Sequence, residues 1–163
     1  MKFLRLQNDR YIFHLGKPES ELFTLILRLY PVIPPAHQPL SKSNEPVNEA
    51  HQRLLDEALA EQRRENKTLV ESFLTDAQRF QVTDAAAHMT VTAGEMEFLL
   101  QVLNDVRVGS WLLLGSPTAE PLEIAPTNPN APHLWAMELA AMFQMNLIRT
   151  LNKKPPGAEP KTS

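Results

Sequence analysis

The chain of 163 residues has no cysteine, few glycines and no long apolar run. Without cysteine, disulfides, thiolate catalysis and cysteine-bound zinc or iron–sulfur centres are excluded. The five glycines form no G-x-S-x-G, Walker or G-x-G-x-x-G motif, so the usual signatures of a nucleophilic serine and of phosphate binding are missing. No apolar run is long enough to span a bilayer, and the charged N-terminus contains no signal-peptide core. We expect a cytoplasmic protein without a membrane partner.

A surplus of positive charge is also missing. With 16 basic and 19 acidic residues the net charge is −3, which opposes the phosphate-neutralising contacts that dominate nucleic-acid affinity. The histidines are scattered and show neither H-x-H nor H-E-x-x-H spacing. They are His14, His37, His51, His88 and His133. The sequence therefore predicts no metal, no cofactor and no catalytic residue, and it argues against a nucleic-acid partner.

Proline is abundant, and its distribution divides the chain. Of the 14 prolines, all but one fall in residues 31–46, 117–132 and 155–160. Because the residue before a proline disfavours helix, these segments are predicted to be linkers between four structured blocks. We expect one helical domain over residues 1–152, with an N-terminal hairpin, and a disordered tail over residues 153–163.

The first block predicts a β-hairpin followed by a helix. The alternating runs KFLRLQ and RYIFHL are joined at Asn8 and Asp9, which tolerate the left-handed backbone of a tight turn. After Gly16, the segment KPESELFTLILRLY has Pro18 in its first turn and apolar residues at helical spacing, and Pro31 follows it.

The second block, residues 47–80, has apolar residues at helical spacing throughout. Gln62 and Asn66 interrupt the apolar stripe, and TLVE at residues 68–71 resembles a capping box, so the block forms either one helix or two. Its basic run, Arg63, Arg64 and Lys67, is either a solvated surface or a phosphate-binding patch.

A short connection, QVTDAAAHMTV, leads to two apolar helices. Thr92 and Glu95 form a capping box before the third block, and Gly115 marks its end. The fourth block has few polar residues, so it is either the central core helix or half of a homodimer contact through residues 132–152. The predicted fold is mainly α: a four- to five-helix bundle with a short N-terminal β-hairpin.

The segment LNDVRVGSW places a polar cluster in the third helix. A helical projection puts Asn104 and Asp105 in the water-facing stripe, but Arg107 on the flank of the apolar face, with Trp111 one turn ahead. Arg107 has three interpretations. Its guanidinium extends to water, it pairs inside the fold with a carboxylate such as Glu138, or it anchors a ligand or partner with Trp111 beside it.

Three stretches of the sequence resemble the domain of unknown function 2017 family, an uncharacterised bacterial family. LLQVLNDVRVGSWLLLG is similar to its segment with a Leu-Asn-Asp-x-Arg core, KPESELFTLILRLY to its first helix, and ELAAMFQMNLIRTL to its last. The proline-rich loops and Gly109-Ser110 depart from the family pattern. The resemblance implies no catalytic activity, but genes of this family tend to lie beside the gene of the ClpS protease adaptor, which implies a role linked to regulated proteolysis.

These observations favour a non-enzymatic regulatory or protein-interaction module with an unknown protein partner. Its candidate binding residues are Asn104, Asp105, Arg107 and Trp111. The alternative hypothesis is a DNA-binding transcriptional regulator that uses Arg63, Arg64 and Lys67.

Overall fold

The computed structural model describes residues 1–33, 46–118 and 123–153. Its elements are β1 (Lys2–Gln7), β2 (Arg10–Gly16), α1 (Lys17–Arg28), α2 (Pro46–Thr75), β3 (Phe80–Val82), β4 (Ala86–Thr92), α3 (Ala93–Leu113) and α4 (Ala131–Leu151). Most of the predicted linkers at 31–46 and part of the one at 117–132 lie outside the described residues, as does the predicted disordered tail beyond residue 153. None of the helices in the described ranges combines the length and the apolar character that crossing a bilayer requires.

β1 and β2 form the predicted hairpin. Asn8 and Asp9 join them with φ angles of 50° and 58°, the left-handed conformation that a two-residue type I′ turn requires. β2 then pairs with β4, and β4 with β3, so the antiparallel sheet has the order β1-β2-β4-β3. Buried side chains of the two central strands, among them Phe13 and Met89, join the helices in one hydrophobic core.

The prediction of a four- to five-helix bundle is wrong. Among the described residues 61% are helical and 17% lie in the four-stranded antiparallel sheet, so the fold is mixed α/β. The error arises in residues 81–91, which we predicted to be a connection but which form most of β3 and β4. In β4, Ala87, Met89 and Val91 are buried and His88 is exposed, which is the alternation of a strand with one face in the core.

The order strand, strand, helix, helix occurs twice along the described residues. In each unit the second strand runs directly into the first helix, β2 at Gly16 and β4 at Thr92. A glutamate follows three residues later. Glu19 accepts a hydrogen bond from the Gly16 N–H at 3.2 Å, and Glu95 accepts one from the Thr92 N–H at 2.9 Å. The two helices therefore begin with the same carboxylate-to-backbone contact.

The same positions are buried in both units. Counted from Gly16 and from Thr92, they are the fourth, seventh, tenth, eleventh and fourteenth residues. In the first unit these are Ser20, Phe23, Ile26, Leu27 and Tyr30, and in the second Met96, Leu99, Val102, Leu103 and Val106. Burial of each large apolar side chain contributes about 1.5–3 kcal/mol. This shared stripe joins each helix to the common core.

The second block forms one helix, α2, instead of two. Thr68 lies inside it and donates its hydroxyl hydrogen bond to the Arg64 carbonyl at 3.2 Å, so TLVE caps nothing. The buried apolar side chains of α2 are Val70 and Phe73, near its C-terminal end. The preceding turns from residue 49 onward are mostly exposed, so α2 touches the core with one end.

Helix α4 packs along α3 and belongs to the core, which is the first of the two interpretations of its apolar sequence. Its buried side chains include Ala140, Phe143 and Leu147, and Gln144 donates a hydrogen bond to the Leu100 carbonyl of α3 at 3.3 Å. The opposite face of α4 is exposed. Helix α3 ends before Gly115, whose φ of 83° is typical of a helix end.

We expect Thr92→Ala to lower the free energy of unfolding by about 1 kcal/mol, because the Thr92 hydroxyl accepts the Glu95 N–H at 3.2 Å. Thr68→Ala is the matched control, since Thr68 is exposed within α2 and caps nothing; its effect should stay below about 0.5 kcal/mol. Urea unfolding followed by circular dichroism measures both. Equal losses in the two variants would contradict the assignment of the cap.

Candidate functional site

Arg107 is exposed, and the interpretation that buries it against a carboxylate is wrong. Its guanidinium donates a hydrogen bond from Nη2 to Asn104 Oδ1 at 3.3 Å. Glu138, the candidate carboxylate, is also exposed and forms no ion pair with Arg107. The guanidinium therefore reaches water on the α3 surface, the first of the three interpretations, and its nearest polar partner lies on its own helix.

Asp105, which the helical projection places in the water-facing stripe, is instead half-buried. Its side chain is 29% exposed, and Oδ2 lies 3.9 Å from Nε of Arg63 on α2, whose side chain is 25% exposed. Burial raises the pKa of the Asp105 carboxyl above its usual value of 3.8, and the Arg63 guanidinium partly opposes that shift. The structure thus joins two residues that the sequence assigned to different hypotheses.

Tyr30 and Asn66 complete this group, which we name the Asp105 cluster: Tyr30, Arg63, Asn66 and Asp105. Asn66 donates a hydrogen bond from Nδ2 to the Tyr30 hydroxyl at 3.3 Å. Burial raises the pKa of the Tyr30 phenol, and the Asp105 charge adds to that rise. Asn66 interrupts the apolar stripe of α2 because its side chain faces this hydroxyl. The cluster is therefore a polar contact of α2 with both α3 and the residues that follow α1.

The basic run of α2 does not form a patch of unpaired cations. Arg63 faces Asp105, and Arg64 pairs with Glu61 one turn earlier on the same helix. Lys67 is exposed. Since two of the three positive charges already lie beside carboxylates, phosphate contacts at this site would have to compete with those pairs.

Trp111 contacts the chain that follows α3. Its indole Nε1 donates a hydrogen bond to the Pro117 carbonyl at 3.1 Å, and the residue is 37% exposed. This hydrogen bond joins its ring to the loop after α3 and does not involve Arg107. The four predicted binding residues lie on one helix but do not converge on a common point.

Among the described residues, no three histidine or acidic side chains group closely enough to hold a metal ion. The sheet does bring two histidines together. His14 on β2 and His88 on β4 are cross-strand partners with ring centroids 5.4 Å apart. The two histidines are far apart in the sequence, so the pair could not be predicted from spacing, and it follows only from the register of β2 on β4.

Within the described ranges, the most exposed aromatic side chain lies on α4. Trp135 is 66% exposed, Met142 40% and Met145 50%. Together with the exposed Glu138 and Arg149, they recur at steps of three and four residues and lie on one helix face. We name these five residues the α4 stripe.

A cleft of about 600 Å³ lies beside the C-terminal end of the α4 stripe, between α4 and the start of β1. Arg149, Lys2 and Lys153 contribute its positive charge, and Phe3 contributes apolar surface. Neither Asp105 nor Arg107 lines it. Asp105 and Tyr30, the two residues with raised pKa values, are therefore separate from this cleft.

Comparisons with models of protein families, with curated proteins and with solved structures find no match. The resemblance to the domain of unknown function 2017 family stays a prediction. The candidate sites are therefore argued from their own geometry, which distinguishes the Asp105 cluster, enclosed between helices, from the α4 stripe, open to solvent.

We expect Asp105→Asn to raise the free energy of unfolding at pH 7. The raised pKa means that the folded protein binds this proton more tightly than the unfolded chain, so the stability contributed by Asp105 falls as pH rises from 3.8 through the raised pKa. Asparagine carries no charge to desolvate. Its advantage should therefore be largest at neutral pH and shrink on acidification toward 3.8.

Asp76→Asn is the control for this measurement, because Asp76 receives the Gln78 N–H at 2.8 Å and pairs with Arg79 at 3.1 Å. This variant should lose stability at pH 7. Urea titrations at neutral and acidic pH, each compared with wild type, measure both. A less stable Asp105→Asn variant at pH 7 would mean that the attraction to Arg63 outweighs desolvation.

Ser110 provides a test of how a buried, unpaired hydroxyl affects stability. It belongs to the Gly109-Ser110 pair noted in the sequence analysis. It is 1% exposed, and its hydroxyl has no hydrogen-bond partner among the described residues. Ser110→Ala should raise the free energy of unfolding by about 1 kcal/mol, because the alanine buries no polar group.

Ser20 is the matched serine in α1: it is 4% exposed, but its hydroxyl donates to the Lys17 carbonyl at 2.8 Å. Ser20→Ala should lower the free energy of unfolding by about 1 kcal/mol. Thermal unfolding of the two variants gives the signs directly. Destabilisation by Ser110→Ala would show that its hydroxyl is bonded.

Proposed function

We propose that the protein is a non-enzymatic regulatory or protein-interaction module, and that the α4 stripe is the surface on which a helix of a protein partner docks. The observation that carries the proposal is the exposure of Trp135, Met142 and Met145 on a helix whose other face lies in the core. Proteins seldom leave large apolar side chains grouped on one surface unless a partner covers them.

The spacing and residue types of the stripe support a helical partner. Residues at alternating steps of three and four form the line along which one helix packs against another. Tryptophan is enriched among the residues that dominate interface energies, and methionine adapts its shape to a facing surface. The opposite face of α4 packs along α3 and holds the stripe in place, so few side chains or backbone segments must become ordered when a partner binds.

The Asp105 cluster supports the non-enzymatic part of the proposal. Its carboxyl and phenol have raised pKa values, a property often found in catalytic groups. Here those groups face side chains of neighbouring helices, Arg63 and Asn66, and they lie outside the cleft beside α4. Their geometry fits a polar contact between helices, and the proposal includes no cofactor.

A DNA-binding role is less well supported, since Arg63 and Arg64 already lie beside carboxylates. We propose a cytoplasmic location, with which the absence of cysteine is compatible. On the resemblance alone, we also propose that the regulated process is proteolysis. Recovery of a protease adaptor through the α4 stripe would support that part.

The test compares two variants as baits. Met142→Glu combined with Met145→Glu places two charges in the α4 stripe. We expect this variant to keep its fold and to bind its protein partner at least tenfold more weakly than the wild type does. The control carries Leu54→Glu and Leu55→Glu, two exposed positions on α2 that are 64% and 52% exposed. It should retain the partner at the wild-type level.

Circular dichroism and thermal unfolding first establish that both variants are folded. Quantitative pull-down at micromolar bait, combined with sedimentation of the purified chain, then counts both foreign partners and self-association. The proposal is refuted if no protein, including a second copy, depends on the α4 stripe for binding.

A further inference from the structure

The α4 stripe carries one acidic and one basic residue in addition to its apolar side chains. Glu138 precedes Met142 by one turn, and Arg149 follows Met145 by one turn, so the two charged residues flank the two methionines in the order Glu138, Met142, Met145 and Arg149. At about 100° per residue these four side chains fall on a narrow arc of the helix. The part of the stripe from Glu138 to Arg149 therefore has a negative end, an apolar centre and a positive end.

Both charges lack an ion-pair partner within the described residues, and both residues are exposed. They cannot neutralise each other, because eleven residues of helix separate them by about 16 Å along the axis. A surface that presents two unpaired opposite charges on either side of an apolar centre calls for a partner with the reverse order. An antiparallel copy of the same stripe has that order.

We propose that α4 packs antiparallel against α4 of a second copy of this chain, about a two-fold axis that passes between residues 143 and 144. Met142 then lies opposite the partner's Met145, and Glu138 lies opposite the partner's Arg149. Trp135 extends the contact at each end and lies opposite the partner's Asn152. This inference rests on the proposed function, since it names the helix that docks on the stripe.

The antiparallel arrangement follows from the charges. A parallel pair with the same two-fold symmetry would place each Glu138 beside the partner's Glu138 and each Arg149 beside the partner's Arg149, with repulsion at both ends. Reversing one helix turns both repulsions into attractions. The contact is isologous and closes on itself, so it produces a dimer and not a chain of copies.

Charge reversal tests this register. Glu138→Arg alone and Arg149→Glu alone each place like charges opposite each other twice per dimer, and we expect each to weaken dimerisation at least tenfold. A mixture of the two variants should dimerise as the wild type does, because the heterodimer restores opposite charges at both positions. The double variant, Glu138→Arg with Arg149→Glu, should recover in the same way.

Sedimentation equilibrium of the full chain measures all of these dissociation constants. Added salt should weaken the wild-type dimer, whose facing charges attract, and strengthen the dimers of the single variants, whose facing charges repel. Glu65→Arg is the matched control, since Glu65 is an exposed acid on α2, away from the stripe. It changes the net charge as Glu138→Arg does, and it should leave dimerisation unchanged.

The absence of cysteine provides an independent measure of register. Met142→Cys chains mixed with Met145→Cys chains should form a disulfide-linked heterodimer faster than either variant forms a homodimer, because only the mixture places the two sulfurs opposite each other. Equal rates in all three samples would overturn the antiparallel register.

A wild-type chain that stays monomeric at several hundred micromolar, or single charge reversals that are not rescued by mixing, would overturn the dimer. The proposed function has its own outcome. If the wild type is monomeric but a different protein is captured and lost with Met142→Glu and Met145→Glu, the docking surface stands and its occupant is another protein. If neither a copy nor another protein depends on the stripe, both proposals fail.

Discussion

The pairing of β2 with β4 is the contact on which the rest of the structure depends. Phe13 and Met89 lie opposite each other at the centre of this ladder and are almost completely buried. Because the two strands are antiparallel and each runs directly into a helix, α1 and α3 leave the sheet at opposite ends. Glu19 and Glu95 bind the backbone N–H at these two junctions and fix the direction in which each helix starts.

The second helix of each unit has a different role, and this difference creates the candidate sites. α4 packs along α3 and fills the core with one face, so its other face is held outward and exposes Trp135. α2 contacts the core mainly through Val70 and Phe73 near its C-terminal end. Earlier in α2, the polar side chains of Arg63 and Asn66 connect the helix to its neighbours through the Asp105 cluster.

Local features of the fold could be predicted from the sequence. The hairpin turn at Asn8 and Asp9 and the cap at Thr92 depend on residues within one turn of each other, and the structure confirms both. β4 was missed although Ala87, Met89 and Val91 alternate with polar residues. Seven residues with two small alanines resemble a connection when considered alone, and the strand becomes evident only from its pairing with β2.

The candidate sites show the same division between local and distant information. The helical projection finds the apolar face of α3 but contains no information about which neighbour covers its flanks. α2 covers the flank with Asp105, which the projection places in the water-facing stripe, and leaves Arg107 in water. The apolar composition of α4 predicted a core helix or a dimer contact. Which face of α4 is exposed, and that Glu138 and Arg149 on it have no ion-pair partner among the described residues, could be seen only once the packing of the helices was known.

The central ladder also determines when the sheet can be completed during synthesis. β2 emerges from the ribosome with its hairpin partner β1, but its other edge has no partner until β4, many residues later, is made. Until then that edge offers open backbone hydrogen bonds beside Phe13 and Leu15, which makes it a site for mispairing between nascent chains. The contact that unites the two units is also nonlocal, so loop-closure entropy opposes it and folding is slower than in a helical bundle of this size.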